Sequence, residues 1–244
     1  MIRSKKEIEA EKKAFKQMTM TEKIDHILAY YKLPVFTVII ALIVLTSTIV
    51  TNATKKKPYL YVAYANFTCG ETLDEQLTKG YLESIGIDTK KYDIYVYRNL
   101  YITDDPSDVD HQYSYASKIK VMGAISARQL DLMFMNKEAY DLMSSSGLLL
   151  NLSTTEDNPS FATLSPYIMS NDVILSDNAV DLELGNAEEY VAETESQKNG
   201  IDISSSDTFT AAGIDNDLYI GIIANSRHVE ECMQYIACLL GNER

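Results

Sequence analysis

The densest run of groups able to ligate a metal or move a proton is DDPSDVDH, residues 104 to 111, with four carboxylates and His111. A calcium loop needs alternating oxygen ligands, a bend at Gly and a closing Glu. Both the Gly and the Glu are absent here, so the run reads as a wet loop before a helix. Asp105 stands as its cap, Pro106 in its first turn and Asp108 near its positive end. The three histidines, His26, His111 and His228, are scattered, and no Ser, Cys or Lys stands in surroundings that would activate it. The cysteines Cys69, Cys232 and Cys238 form no CxxC and have no His at zinc spacing. Cys232 and Cys238, six apart on one predicted helix, point in different directions. Three free buried thiols is the reading, with a bridge from Cys69 to one of the others as the alternative. The expectation is therefore no catalytic residue, no metal and no cofactor, and a protein that is not an enzyme.

Such groups as remain must be placed by strands and helices. PYLYVAYANF (58–67) alternates and is rich in strand formers, and KYDIYVYRNLYI (91–102) repeats the pattern. LDLMFMN (130–136) is a short apolar strand buried on both faces. Between these lie helical spacings: Leu73, Leu77, Tyr81 and Leu82, stopped at Gly86, and then residues 114–129. A short helix, KEAYDLMSSSG, follows the third strand, and LLLNLST runs on as an extended piece. NDVILSDN (171–178) fits a strand, and the acidic AEEYVAETESQKNG (187–200) an exposed helix or hairpin. DLYIGIIANS and RHVEECMQYIACLLG close the chain as strand and helix. This alternation implies an α/β fold with a mostly parallel sheet flanked by helices. A ligand would then sit beyond the carboxyl ends of the strands. Asn66, Phe67 and Thr68 follow the first strand, and Met135 and Asn136 follow the third, with Asp131 at its start. Their amide, hydroxyl and aromatic groups suit a neutral solute such as a sugar or peptide fragment. The alternative is that Asn66 and Thr68 only form the turn and cap the next helix.

Charge divides the chain. Residues 1 to 32 carry eight Lys/Arg against five acids, whereas residues 58 to 244 carry eleven against thirty, a net −19. An acidic domain of that size excludes nucleic acid as a partner, because phosphate binding needs cations. Between the two, residues 33 to 54 hold no charge, and Lys55, Lys56 and Lys57 follow. Twenty-two residues at about 1.5 Å each reach about 33 Å as a helix, the depth of a bilayer core. A single N-terminal transmembrane helix over 33–54 is therefore expected, uncleaved, with the lipid bilayer as partner. The flanking Lys/Arg put residues 1–32 in the cytoplasm, 55–57 as a basic linker, and 58–244 as the extracytoplasmic domain of a single-pass protein of the cell membrane. Within 1–32, Ile24, Ile27, Leu28 and Tyr31 share one helical face, giving a juxtamembrane amphipathic helix.

Two stretches carry a family resemblance. QLDLMFMNKEAYDLMSSSGLLLNLS (129–153) and YIGIIANSRHVEECMQYIACLLG (219–241) resemble segments of extracytoplasmic solute-binding proteins of the type II periplasmic-binding-protein fold. EKIDHILAYYK before the apolar run is similar to the layout of membrane-tethered members from Gram-positive bacteria. The resemblance implies a reduced, non-catalytic binding domain for a small polar solute, with residues 58–244 too few for two complete lobes. The alternative from a different class is an interaction module that docks an envelope or transporter complex and takes no small molecule.

Overall fold

The computed structural model describes residue 9 and residues 13–23, 32–214 and 217–241. The expected amphipathic face at Ile24, Ile27, Leu28 and Tyr31 lies outside them. Two compact units divide the chain, Met1–Lys55 and Lys56–Arg244.

In the first unit, Lys32–Thr54 forms α1. Among the described residues, however, no helix is long and apolar enough to cross a membrane. This overturns the transmembrane span over 33–54. With it go the single-pass topology, the cytoplasmic amino terminus, the extracytoplasmic placement of 58–244 and the bilayer as a partner. Within α1, Thr46 and Thr48 Oγ1 donate back to the carbonyls of Leu42 (2.8 Å) and Val44 (2.7 Å).

The second unit is built on a six-stranded sheet in the order β2-β1-β3-β6-β5-β4. The strands are β1 (Lys57–Ala65), β2 (Tyr92–Leu100), β3 (Leu132–Met135), β4 (Ile168–Asp177), β5 (Ala192–Asp202) and β6 (Tyr219–Ile222). β1 pairs in parallel with β2 and β3. The other three pairings, β3 with β6, β6 with β5 and β5 with β4, are antiparallel. The sheet is therefore mixed, which corrects the expected mostly parallel one. The cause is the return of the chain after β3: β6 enters beside β3 in the opposite direction, and the β4–β5 hairpin extends the sheet from it.

Side-chain alternation divides the core into two layers. Leu60, Val62 and Tyr64 of β1 and Leu132 and Phe134 of β3 face α2 and α8. Here α2 runs through Glu71–Glu75, a π-turn at Gln76–Gly80, and Tyr81–Ser84, and α8 is Val229–Leu239. Ala63, Ala65, Met133 and Met135 face the other way, onto α3 (His111–Ser126) and α4 (Lys137–Ser145). Leu73, Leu77, Tyr81 and Leu82 are buried, as their spacing predicts. Gly86 ends α2 at φ 75, where its N–H reaches Glu83 O and that of Ile87 reaches Leu82 O. Among the described residues every buried apolar one lies between Leu60 and Leu239, so Lys56–Arg244 carries their core within one compact unit and has what it needs to fold alone. No disulfide joins Cys69, Cys232 and Cys238 to one another.

α3 starts at His111, later than Pro106. Asp105 Oδ1 instead accepts from Ser107 N (2.8 Å), and Asp108 Oδ1 from Asp110 N (2.7 Å), so the acidic run folds into successive Asx turns. Among the described residues no three of His, Cys, Asp or Glu gather as a metal site.

Candidate functional site

β1 and β3 are parallel neighbours, so the residues that follow them emerge at one end of the sheet. Asn66, Phe67, Thr68 and Asn136 duly line one cleft there, of about 500 Å³, with Lys137 and Asp217 at its edge. Asn66 takes the left-handed conformation, φ 53, one that its short amide tolerates better than most side chains. From it, Oδ1 accepts from Ile102 N (2.7 Å), while Nδ2 donates to Ile102 O (2.7 Å) and to Asn136 Oδ1 (3.1 Å). Asn136 Oδ1 also accepts from Ala139 N (3.0 Å) and so caps α4. The Asn66 amide and the Asn136 oxygen thus hold the frame. Lys137 is paired with Asp141. The ring of Phe67 belongs to an aromatic cluster, 6.0 Å from Phe134 and near-parallel to it, and edge-on to Tyr64 at 5.3 Å.

Two candidates lie elsewhere. Met135 is fully buried among the residues facing α3 and α4. Asp131 stands at the opposite end of β3, 1% exposed. Its Oδ2 accepts from Tyr61 N (2.8 Å), and its Oδ1 from Ser226 Oγ (2.7 Å), with His228 Nδ1 at 3.1 Å. Ser226 thus donates to the carboxylate, while the backbone N–H of His228 donates to Ser226 Oγ (3.1 Å). The cluster pins the loop before α8 to the sheet.

A second feature is only partly legible in the sequence, as a strand at 171–178 and an exposed helix or hairpin at 187–200. β5 pairs with β6 only at Ile201 and Asp202, whereas the β4–β5 ladder continues outward to Asp177↔Ala192. The two strands therefore run beyond the sheet as an arm, tipped by the short helix α6 (Ala179–Glu183). α6 ends at Gly185, φ 73, with Gly185 N bonded to Leu182 O and Asn186 N to Asp181 O. Asn178 braces the far side: Oδ1 accepts from Val191 N (2.7 Å) and Nδ2 donates to Glu189 O (2.9 Å). No residue from Ile174 to Lys198 is buried. On this backbone Val180, Leu184, Tyr190 and Val191 are 51 to 69% exposed, with Leu175 and Leu182 also open to solvent. Residues 174–197 carry seven carboxylates and no Lys or Arg. The sequence signal was present, since apolar and acidic residues interleave there without a helical or strand period.

No protein-family model, no curated protein and no solved structure matches the chain. The resemblance to type II periplasmic-binding proteins, and the solute-binding function and partners it implied, are thereby overturned. Among the described residues, the antiparallel return of β6 and the single sheet also give no second lobe to clamp a solute. What the fold defines is a mixed α/β domain with a closed-in cleft at one end of the sheet and an apolar-tipped acidic arm.

Proposed function

We propose that residues 56–244 form a non-catalytic interaction module whose docking element is the β4–α6–β5 arm, with no small-molecule ligand. One observation carries this: six apolar side chains between Leu175 and Val191 stand in solvent on a backbone fixed by its own hydrogen bonds. Apolar groups in water cost stability, and ordered apolar patches rimmed by polar residues mark protein-contact surfaces. The cleft supports the same reading, because its amides are engaged in holding Ile102 and α4.

The test is thermal unfolding of residues 56–244 against sugars, short peptides and amino acids. A site ligand at a hundred times its Kd adds about 2.7 kcal/mol, which moves a domain of this size by roughly 5–10 °C. No solute is expected to move the midpoint by that much. A solute that does, and loses its effect in Thr68→Val, would overturn the docking reading.

A further inference from the structure

Asn199 and Gly200 form the one Asn-Gly pair in the chain, and packing at the root of the arm demands each of them. Asn199 is 1% exposed. Its Oδ1 accepts from the Tyr140 hydroxyl (2.9 Å), and its Nδ2 donates to Ser144 Oγ (2.7 Å). Both partners are buried residues of α4. The Tyr140 ring also fills the place of a side chain at 200, where a Cβ would lie 2.6 Å from Cζ. The ladder is interrupted at the same point. Ser170 pairs with Lys198 and Met169 with Gly200, so Asn199 is a bulge residue with no partner in β4. Pairing with β6 begins only at Ile201. The side chain of Asn199 is thus fixed by its two bonds to α4.

An Asn followed by Gly is the least hindered setting for one reaction of a chain on itself, because no Cβ stands in the way. Gly200 N attacks Asn199 Cγ and a C–N bond closes a succinimide ring. The Cγ–Nδ2 bond breaks, and ammonia leaves with the proton from Gly200 N. Water then opens the ring at either carbonyl, leaving aspartate or isoaspartate. We propose that Asn199–Gly200 is a self-modification site that the fold keeps closed. It reacts when the root of the arm lifts from α4, and the product prevents the root from seating again. Aspartate puts a charge where a buried amide sat. Isoaspartate lengthens the β5 backbone by one carbon, between Lys198 and Ile201, where β4 and β6 set its register. The chemistry is independent of what the arm docks on.

The test follows isoaspartate and the amide-to-acid mass change at residue 199 in residues 56–244, at mildly alkaline pH, folded and in urea. Residue 199 is expected to react readily in urea and at least about tenfold more slowly in the folded domain, where opening must come first. Gly200→Ala should remove most of the rate in urea, where folding plays no part. Tyr140→Phe and Ser144→Ala each remove one bond to the amide and should speed the folded reaction about fivefold. Circular dichroism checks that both are folded; should one melt early, the other decides. The modified fraction, separated by its added charge, should unfold at lower urea than its parent. A folded domain that reacts as fast as the denatured chain overturns the proposal, as do folded variants that keep the wild-type rate. So does a denatured chain left intact at 199, or a modified domain that unfolds like its parent.

Discussion

The cleft and the arm are opposite uses of similar material. At the cleft, polar side chains sit in a hollow and the Asn66 amide and the Asn136 oxygen are engaged within the domain: Asn66 to Ile102 and Asn136, Asn136 to Ala139. At the arm, apolar side chains sit in water and no core residue receives them. A hollow alone therefore does not define a binding site, and a protrusion with unsatisfied surface can. What matters is which groups still lack partners once the chain has folded.

The largest expected effect lies where the two regions join the core. Gly200 pairs with Met169 at the root of the arm. A Cβ there would come within 2.4 Å of Tyr140 Cε2, and the Tyr140 hydroxyl is held by Asn199 Oδ1 at 2.9 Å, so the ring has little freedom to move. Gly200→Ala should cost about 3 kcal/mol in urea unfolding, the upper range for overpacking. Gly221→Ala, whose Cβ meets the flexible ends of Leu149 at 2.7 Å, should cost about half that. Equal losses would show that the arm's root is no more tightly packed than the middle of the sheet.

Asn66→Ala comes next. It removes the bonds to both polar groups of Ile102 and leaves a Cβ-bearing residue at φ 53 without its local bond. About 2 kcal/mol of stability should be lost. Asn66→Gly separates the causes, since glycine relieves the conformational part and leaves the hydrogen-bond part. If neither variant is destabilised, the cleft amides are free for a ligand and the contrast with the arm collapses.

How much of this the sequence disclosed depends on how local each signal is. Leu73, Leu77, Tyr81 and Leu82 announced α2, and the apolar runs announced β1, β3 and β6, because a face repeats within a few residues. The direction of β6 was not legible: it depends on the chain's path between Leu148 and Leu218, which no short-range pattern records. The 22-residue uncharged run was read from composition and helical rise alone, and the described helix does not bear out a span. For the site, adjacency of parallel strand ends grouped Asn66, Phe67, Thr68 and Asn136 correctly in space. Asp131 was four residues too early, at the other end of the same strand, and Met135 turns inward by the two-residue alternation of β3. Of the arm, the strand at 171–178 and an exposed helix or hairpin at 187–200 were legible, but a ribbon solvated on all sides shows no buried period that would mark it as one projecting element.

The core's phenols set a pH limit on the fold. Burial raises the pKa values of Tyr64, Tyr140 and Tyr235, and Tyr101 is pushed up to about 12, chiefly by its hydrogen bond to Asp108. Unfolded phenols ionise near 10. The folded state therefore prefers the protonated form, and that preference contributes fully below about pH 10 and is lost as pH rises through the folded values. Urea midpoints should hold steady to about pH 9 and fall above 10, with phenolate absorbance rising together with unfolding. Phenolate absorbance that saturates while the domain stays folded would place these rings in water.

The smallest effect on stability should come from the arm's tip, and its smallness is what separates the two regions. Leu184 is 69% exposed and packs in no cluster of the core. Leu184→Asp should change folding stability by no more than about 0.5 kcal/mol, the usual range for surface sites. The same substitution in a domain core would cost several times more, because a carboxylate would be buried without a partner. Unchanged urea unfolding locates the apolar tip outside the fold, as a docking element requires. A loss of about 2 kcal/mol or more would mean that the tip packs on the domain itself, and the arm would then be a strut of the core rather than a docking element.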